Sequence, residues 1–463
     1  MSAAPLSYAL AMRSTALLCL AIAACGGESR LEPVDAALDT GAEAATDSGP
    51  PDATADGDAA PNVEDEVDQY LRADEPTTAL LDKLDGEYRD VPFAVFEAAV
   101  RKHRPLPLAA GLSTVEWTDP MLAAKVRYEV YVPTKIAGPA VERVPLLLFL
   151  HWAGGDGPAV VADATIRAAA DALGAVLVAP TAELCDWSMD ERCMSQVVLL
   201  LQRLKRKLPI DDDRVVLSGF SMGGRGSFSA AAAYPSAFAG VVPVAGSIGA
   251  ISSSSDVAAH QKYCCPHAEN LGNLRLHYLS GALDLPALLN QNRGCNLCLA
   301  AQGAEYRYEE IPGIGHELPP KEWTAAITWA FAEPRTPYPA KVVFDLAPQL
   351  SSKYPGGVTF HQELAPAEYW AFLDARIDGG KPARVQATQA GNDVDLTTTN
   401  AAKVAVYLST TAFDLSKNVR VRSSGTVLLD ELVRPDRRLL LTEARARSER
   451  TVTYAAKRVV SVP

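Results

Sequence analysis

The chain has 463 residues, of which 48% are hydrophobic, and a formal net charge of −13. This length allows two to three domains of ordinary size. Residues 28–75 contain fifteen acidic and two basic residues, so the remainder of the chain sums to zero. The negative net charge is therefore confined to one segment. The net charge of the rest of the chain gives no reason to expect that the folded part binds nucleic acid or acidic substrates.

The N-terminal residues predict export. Residues 16–24 form an apolar run that is too short to span a bilayer, which disfavours a transmembrane anchor, but suits the core of a signal peptide. The run leads into Cys25 and Gly26, and this ending resembles a bacterial lipobox, in which the cysteine carries lipid. We therefore assign residues 1–25 to a lipoprotein signal peptide, with Cys25 as the lipidation site; Met12 is an alternative to Met1 as the first residue.

Residues 26–63 predict a disordered acidic linker. They are mostly Ala, Asp, Gly, Pro, Thr and Glu, with almost no large apolar side chain. Such a segment cannot bury enough apolar surface to offset the entropy lost on ordering. A flexible charged linker of this kind would hold the folded part away from a membrane surface.

Six cysteines follow the linker: Cys185, Cys193, Cys264, Cys265, Cys295 and Cys298. An even number in an exported chain predicts disulfides. Cys185 and Cys193 are expected to pair with each other. The adjacent Cys264 and Cys265 are expected to pair with Cys295 and Cys298. A zinc site built from the last four is the alternative, disfavoured because the chain offers no second CxxC spacing.

The body of the chain predicts three regions. Residues 64–112 show helical periodicity and predict a helical prefix, including a helix over 91–100. Residues 113–335 alternate strands and helices, and continuously apolar runs such as 146–150 are typical of a parallel sheet covered on both faces. The expected fold is an α/β, doubly wound, mostly parallel sheet. Its predicted strands are 127–132, 145–150, 175–178, 214–218, 240–244 and 274–279, and its predicted helices are 159–173, 194–208, 224–234 and 321–331.

In residues 341–463 the apolar residues recur with a period of two. Val404, Val406 and Leu408 alternate with less apolar neighbours, and glycine-containing turns separate several such runs. The pattern predicts a small antiparallel β-sandwich. An aromatic cluster at 369–372 is expected in its core, although a surface that binds polymer or glycan is the alternative.

Gly219, Phe220, Ser221, Met222 and Gly223 form a GxSxG motif. The motif follows a predicted strand and precedes a predicted helix, as in a nucleophile elbow, where a sharp turn exposes the serine and requires small neighbours. A glycine-rich turn with an incidental serine is the alternative. The context favours Ser221 as the nucleophile.

A serine needs a base, and the base needs an acid that fixes its tautomer. Among seven histidines, His316 follows a glycine-containing loop between a strand-like run and the last helix of the α/β region. Asp284 follows the predicted strand 274–279 and lies at the same edge of the sheet as Ser221. A helix-capping role is the alternative for Asp284, and Asp256 is the competing acid. His277 lies in mid-strand and is expected in the core.

A tetrahedral intermediate also needs two N–H donors. Met222, which follows the nucleophile, should supply one. The loop of residues 151–155 should supply the other, from Trp152 or Ala153, with His151 shaping the loop. No metal and no organic cofactor is required. The stretch 247–273 is the predicted lid.

Four strings now resemble one family: LLLFLHWAGG (146–155), DDDRVVLSGFSMGG (211–224), LSGALD (279–284) and PGIGH (312–316). Across roughly 125–332 the chain is similar to α/β-hydrolases of the group that contains feruloyl esterases, polyhydroxybutyrate depolymerase-like esterases and predicted prolyl-oligopeptidase-type enzymes. The resemblance implies Ser221 as nucleophile, Asp284 as acid and His316 as base. Trp152 departs from the glycine usual at its position, which leaves the second oxyanion donor open and predicts a narrower acyl pocket.

The expected function is that of a serine carboxylic-ester hydrolase that forms an acyl-enzyme on a small-molecule or polymer-linked ester. The alternatives are a serine peptidase of prolyl-oligopeptidase type and a surface binding protein with a vestigial site. The expected location is the bacterial cell envelope, with the membrane reached through a lipid anchor only.

Overall fold

The structure, a computed structural model, describes residues 62–73, 78–119, 124–182, 186–187, 191–248, 256–302, 305–346 and 369–463. The predicted signal peptide, Cys25, all but the last two residues of the predicted linker, and Cys185 lie outside these residues, as do positions 249–255 of the predicted lid. All elements below belong to one compact unit, Val63–Pro463. Within the described part of the chain, no helix has the length and hydropathy needed to cross a membrane.

The centre of the molecule is an eight-stranded, mostly parallel β-sheet. The strands up to residue 311 are β1 (Leu106–Leu108), β2 (Gly111–Asp119), β3 (Ala124–Val132), β4 (Gly138–Val141), β5 (Val144–Leu150), β6 (Val176–Pro180), β7 (Ile210–Phe220), β8 (Gly240–Val244), β9 (Arg275–Gly281) and β10 (Tyr306–Ile311). The large sheet has the order β10-β9-β8-β7-β5-β6-β3-β2, and β1 pairs with β4. Strands β10 to β6 are parallel, whereas β3 and β2 are antiparallel to their neighbours. The α/β prediction is confirmed.

Helices cover both faces of this sheet. The α-helices of the described residues are, in chain order, α1 (Val63–Arg72), α2 (Thr78–Glu87), α3 (Phe93–Arg101), α4 (Gly157–Ala162), α5 (Ala164–Leu173), α6 (Glu191–Lys207), α7 (Met222–Ala233), α8 (Val257–Cys264), α9 (Pro286–Gln302), α10 (Pro320–Phe331) and α11 (Arg437–Arg447). Helices α4, α5 and α10 contribute to one core cluster. Helices α6, α7 and α9 contribute to the other. This two-sided cover is what a doubly wound sheet requires.

Strand β5 shows why the sheet is buried on both faces. Successive side chains of a strand point to opposite faces. Leu146, Leu148 and Leu150 accordingly belong to the core under α6 and α7, while Leu147 and Phe149 belong to the core under α4, α5 and α10. All five are fully buried. A strand with two apolar faces must be apolar at every position, as 146–150 is.

The single helix predicted over 159–173 is wrong, because the structure has two helices there. They meet at Asp163, which has extended backbone angles rather than helical ones. The Asp163 carboxylate accepts hydrogen bonds from the N–H groups of Thr165 and Ile166. This is an N-cap, which satisfies N–H groups that would otherwise lack partners at the start of α5.

The C-terminal part contains β11 (Lys341–Leu346), β12 (Ala371–Arg376), β13 (Ala383–Ala390), β14 (Asp393–Thr399), β15 (Ala401–Leu408), β16 (Asn418–Ser423), β17 (Thr426–Leu432) and β18 (Ala456–Ser461). They form two sheets, β11-β13-β14-β16-β17 and β12-β15-β18, which share one core cluster. Tyr369, Trp370 and Phe372 are buried in it. Two features differ from the all-antiparallel prediction: β14 and β16 are parallel, and α11 lies between β17 and β18.

The N-terminal helices pack against α11. Phe96 and Val100 of α3 share a buried cluster with Leu440 and Leu441 of α11. The acidic residues of α1 are therefore part of a folded surface. Their carboxylates form ion pairs with cationic side chains, in the pairs Glu64–Lys102, Asp65–Arg104, Glu66–Lys83, Asp68–Arg72 and Asp68–Arg450.

Candidate active site

Ser221 lies in a sharp turn at the carboxyl edge of the sheet. Strand β7 ends at Phe220 and α7 begins at Met222, so the serine alone connects them. Its φ is 56° and its ψ is −112°, a strained conformation for a residue with a side chain. Gly219 and Gly223 are required here, because a Cβ on the first would overlap the carbonyl of Gly223 and a Cβ on the second would overlap that of Leu150.

The structure brings Ser221, His316 and Asp284 together in one chain of hydrogen bonds. Ser221 Oγ lies 2.8 Å from His316 Nε2, and His316 Nδ1 lies 2.8 Å from Asp284 Oδ1. The Asp284 side chain is 0% exposed and that of His316 is 20% exposed. Because a carboxylate only accepts hydrogen bonds, it fixes the histidine proton on Nδ1 and leaves Nε2 to accept the serine proton.

Backbone hydrogen bonds tie the acid loop to the histidine loop. Leu283 N–H donates to the carbonyl of Ile314, and Ala282 N–H donates to that of Ile311. Asp284 Oδ1 also accepts from the N–H of Leu285 at 2.6 Å. Helix α9 begins at Pro286, so the Leu285 N–H precedes the helix and this bond is not a helix cap. The capping alternative for Asp284 is wrong.

The loop that begins at His151 is held by its own imidazole. Ala182 N–H donates to His151 Nε2 at 3.0 Å, so the ring proton lies on Nδ1 and donates to the Trp152 carbonyl at 2.7 Å. Burial lowers the pKa of His151, which favours this neutral form. The Trp152 carbonyl also accepts from Gly155 N–H at 3.0 Å. Two donors therefore fix the peptide group between Trp152 and Ala153.

Met222 is placed at the first turn of α7. The first N–H groups of a helix have no partner within it, and the helix dipole makes this end electropositive. The Met222 N–H thus suits a developing negative charge next to Ser221.

The competing residues have other partners. Asp256, the alternative acid, caps α8 by accepting a hydrogen bond from Ala258 N–H. His277 is buried, lies 2.8 Å from a Glu309 carboxylate oxygen, and packs against Trp329. His361 lies outside the described residues. His316 is therefore the histidine that the structure places beside Ser221.

Two disulfides join the segments on either side of Asp284. Cys264 is bonded to Cys295, and Cys265 to Cys298. These pairs replace the alternative zinc site, because the sulfurs are consumed in covalent bonds. Cys193 is also disulfide-bonded. Among the described residues, no cluster of three or more metal-binding side chains is found. Disulfides persist in oxidising compartments, so they point to an extracellular location.

No protein-family model matches the chain, and no curated protein matches its sequence. Solved structures with a similar fold include a thermostable esterase, with 21% identity and a TM-score of 0.39 over 48% of this chain and 63% of that one. They also include fluorophosphonate-binding serine hydrolase F of Staphylococcus aureus, with 18% identity and a TM-score of 0.40 over 49% of this chain and 100% of that one. A third is LpqC, a poly(3-hydroxybutyrate) depolymerase from Bordetella parapertussis, with 17% identity and a TM-score of 0.38 over 49% of this chain and 92% of that one. The chain thus spans less than two thirds of the thermostable esterase.

Proposed function

We propose that this protein is a serine hydrolase of carboxylic esters with an α/β-hydrolase catalytic region at 113–335. The observation that carries the proposal is the hydrogen-bond chain from Ser221 through His316 to Asp284. A strained serine between a strand and a helix, with a base and a buried acid in this order, is the arrangement that activates a hydroxyl for attack on a carbonyl.

In the proposed mechanism, Ser221 Oγ attacks the ester carbonyl carbon while His316 Nε2 accepts the hydroxyl proton. The tetrahedral intermediate collapses when His316 gives that proton to the leaving alcohol, and an acyl-enzyme remains. A water molecule then attacks the acyl carbon while His316 accepts one of its protons. The bond to Ser221 Oγ breaks as His316 gives that proton to Ser221 Oγ, and the carboxylic acid is released. Asp284 stabilises the imidazolium formed in each step and does not itself take the proton.

We assign the oxyanion hole to the N–H groups of Met222 and Ala153. The peptide bond is planar and trans, so its N–H points away from its carbonyl. Because His151 and Gly155 hold the Trp152 carbonyl, the N–H of Ala153 in the same peptide group is directed to the opposite side and is fixed there. This choice favours Ala153 over Trp152, the other candidate.

Replacement of the nucleophile tests the proposal. We expect Ser221→Ala to lower hydrolysis of short p-nitrophenyl esters by about 10⁴-fold or more and to abolish labelling by a fluorophosphonate. Ser227→Ala is the matched control, because Ser227 is a buried serine of α7 whose hydroxyl donates to the Gly224 carbonyl. Full turnover in Ser221→Ala would refute the mechanism.

We further propose that residues 1–25 direct export and that Cys25 carries a lipid, with 26–63 as a flexible linker. The apolar run before Cys25 and the disulfides of the folded part support export. Membrane partitioning of a Cys25→Ala protein that equals that of the wild type would rule out the lipid anchor.

We also propose that 64–112 is a prefix to the catalytic region, helical only as far as Arg101 because β1 and the start of β2 follow, and that the two sheets of 341–463 form a β-sandwich that supports the catalytic region. The burial of Tyr369, Trp370 and Phe372 favours support over binding of a polymer, since these rings offer no exposed surface.

A further inference from the structure

An uninterrupted row of aromatic rings leads away from the candidate base. The ring centroids of Phe220 and His316 are 5.1 Å apart, with planes inclined by 38°. Those of Trp152 and Phe220 are 6.2 Å apart, with planes inclined by 60°. Both distances lie in the range of favourable aromatic pairs. All three side chains are half-buried, so the row retains exposed surface beside Ser221.

The position of Trp152 in this row is fixed by its loop. The indole lies against Gly155, where a Cβ would meet the ring at 2.9 Å, and the Trp152 carbonyl accepts from Gly155 N–H. Trp152, Phe220 and Leu318 also pack against the core cluster under α4, α5 and α10. The row is therefore a preformed apolar surface rather than a set of free side chains.

The chemistry of the base determines which part of an ester this surface meets. His316 Nε2 must give its proton to the leaving oxygen, so that oxygen has to come within hydrogen-bond distance of the ring. Side chains packed on the His316 ring therefore lie near the alcohol portion. Phe220 is such a side chain, and Trp152 extends the surface from it.

We propose that Phe220 and Trp152 form the subsite for the alcohol part of the ester and that this subsite prefers a flat aromatic alcohol. The inference rests on the proposed esterase function and names its substrate class. It also places Trp152 on the leaving-group side, rather than on the acyl side that the sequence alone suggests. The aromatic ring of such an alcohol would pack on Phe220 and Trp152 through the same stacked or edge-to-face contacts that these rings already make.

The test compares benzyl acetate with cyclohexylmethyl acetate, which share an acyl group, a linkage and an alcohol size but differ in whether the ring is flat and aromatic. We expect the wild-type protein to show a kcat/KM ratio of about 3 to 10 in favour of benzyl acetate. A ratio of this size corresponds to the free energy of one aromatic pair contact. Trp152→Leu and Phe220→Leu should each bring that ratio towards 1. Because both esters are measured on one preparation, the ratio does not depend on how much of a variant is folded.

Trp329→Leu is the matched control, since Trp329 is a half-buried tryptophan that packs on the same core cluster but contacts His277 instead of the site. It should leave the ratio unchanged. A wild-type ratio near 1 would overturn the inference. So would variants that instead shift the preference between methyl phenylacetate and methyl cyclohexylacetate, because the row would then contact the acyl part. Absence of fluorophosphonate labelling at Ser221 in the wild type would instead overturn the esterase proposal itself.

Discussion

The His151 imidazole contacts the backbone on both sides, and it does so in only one tautomer. Nε2 accepts from Ala182 N–H while Nδ1–H donates to the Trp152 carbonyl. A protonated ring would place a hydrogen on Nε2 against the Ala182 donor, and burial already lowers the pKa of His151. His151 is therefore a positioning residue that orients a peptide group, and it takes no part in proton transfer.

Removal of this ring should misalign the proposed Ala153 donor. Loss of a whole oxyanion donor costs about 10²- to 10³-fold in kcat, so we expect His151→Ala, which only loosens the donor, to lower kcat by about 10- to 100-fold. KM for a small ester should change little, because the interaction strengthens only in the transition state. His151→Asn, whose amide has both a donor and an acceptor, should recover part of the loss.

The control for this prediction is His277→Ala, which removes another buried histidine that has no contact with the site. Steady-state kinetics of all three variants at one pH provide the comparison. If His151→Ala raised KM alone, or if His277→Ala lowered kcat equally, His151 would have only a general structural role.

At this scale the sequence predicted which side chains the structure brings together, but not the orientation of the backbone. Ser221, Asp284 and His316 each follow a recognisable strand or loop, so local context was enough to select them for the hydrogen-bonded group. The choice between Trp152 and Ala153 depends on hydrogen bonds that converge from His151, Gly155 and Ala182. Such convergence brings together parts of the chain about thirty residues apart, and no local pattern encodes it.

The helix that follows the acid loop is clamped by the two disulfides. Helix α9 begins at Pro286, two residues after Asp284. Its Cys295 is bonded to Cys264 of α8, and its Cys298 to Cys265, the first residue of the 3-10 helix Cys265–Leu271. The position of α9 limits where the acid loop can move. We therefore expect the disulfides to influence the geometry of the acid loop, although they do not contact Asp284.

We expect Cys264→Ala/Cys295→Ala to lower the free energy of unfolding by about 2 kcal/mol or less, the low end of the usual range for a disulfide, because Cys265–Cys298 still closes nearly the same loop of the unfolded chain. Ester turnover at moderate temperature should fall as well, since the acid loop becomes less constrained. Urea unfolding and turnover are measured together, with Cys265→Ala/Cys298→Ala as the companion pair. Normal turnover in dithiothreitol, once loss of both disulfides is verified by mass, would refute the link to the acid loop.

Comparison of the observed strands and helices with the predicted ones shows which of them can be recognised from local sequence alone. Strand β8 matches its predicted range, because a short, fully buried apolar run leaves little choice of boundary. Helix α11 was missed, since polar residues, mostly arginines, dominate its sequence. Its buried Leu440 and Leu441 pack in one cluster with the distant N-terminal helices, which no local pattern reveals. The parallel pairing of β14 and β16 likewise joins strands that are not consecutive, and alternation alone cannot reveal it.

The α/β region and the C-terminal part meet at a buried ionic cluster centred on Glu449. Arg450 connects this cluster to the prefix, because its backbone N–H donates to Asp212 and its guanidinium pairs with Asp68 of α1. One carboxylate oxygen of Glu449 lies 2.7 Å from Lys205 Nζ and 2.8 Å from a guanidinium nitrogen of Arg335. Arg335 also binds Asp213 at 2.8 Å, and Asp212 lies 3.7 Å from Lys205. Burial alone raises the pKa of a carboxyl, but the charges of Arg335 and Lys205 outweigh it and lower the pKa of Glu449.

This cluster predicts that the three regions unfold together. Glu449→Gln leaves Lys205 and Arg335 buried with fewer negative partners, so we expect the free energy of unfolding to fall by about 3–5 kcal/mol. Lys417→Ala is the matched control, because the Lys417–Asp414 pair is exposed and its loss should leave the free energy of unfolding almost unchanged. Urea unfolding is followed by tryptophan fluorescence, which reports on buried Trp323 and Trp370, and by ester turnover.

Both signals should move to lower urea by the same amount in Glu449→Gln, because one cooperative unit has one transition. Separate transitions, with turnover surviving after the fluorescence of the C-terminal core has changed, would show that the catalytic region folds without its support. The same result would make the C-terminal sheets an appended domain, and the search for a binding partner on their surface would then be justified. A common transition instead assigns these sheets, α11 and the prefix to the stability of the catalytic region.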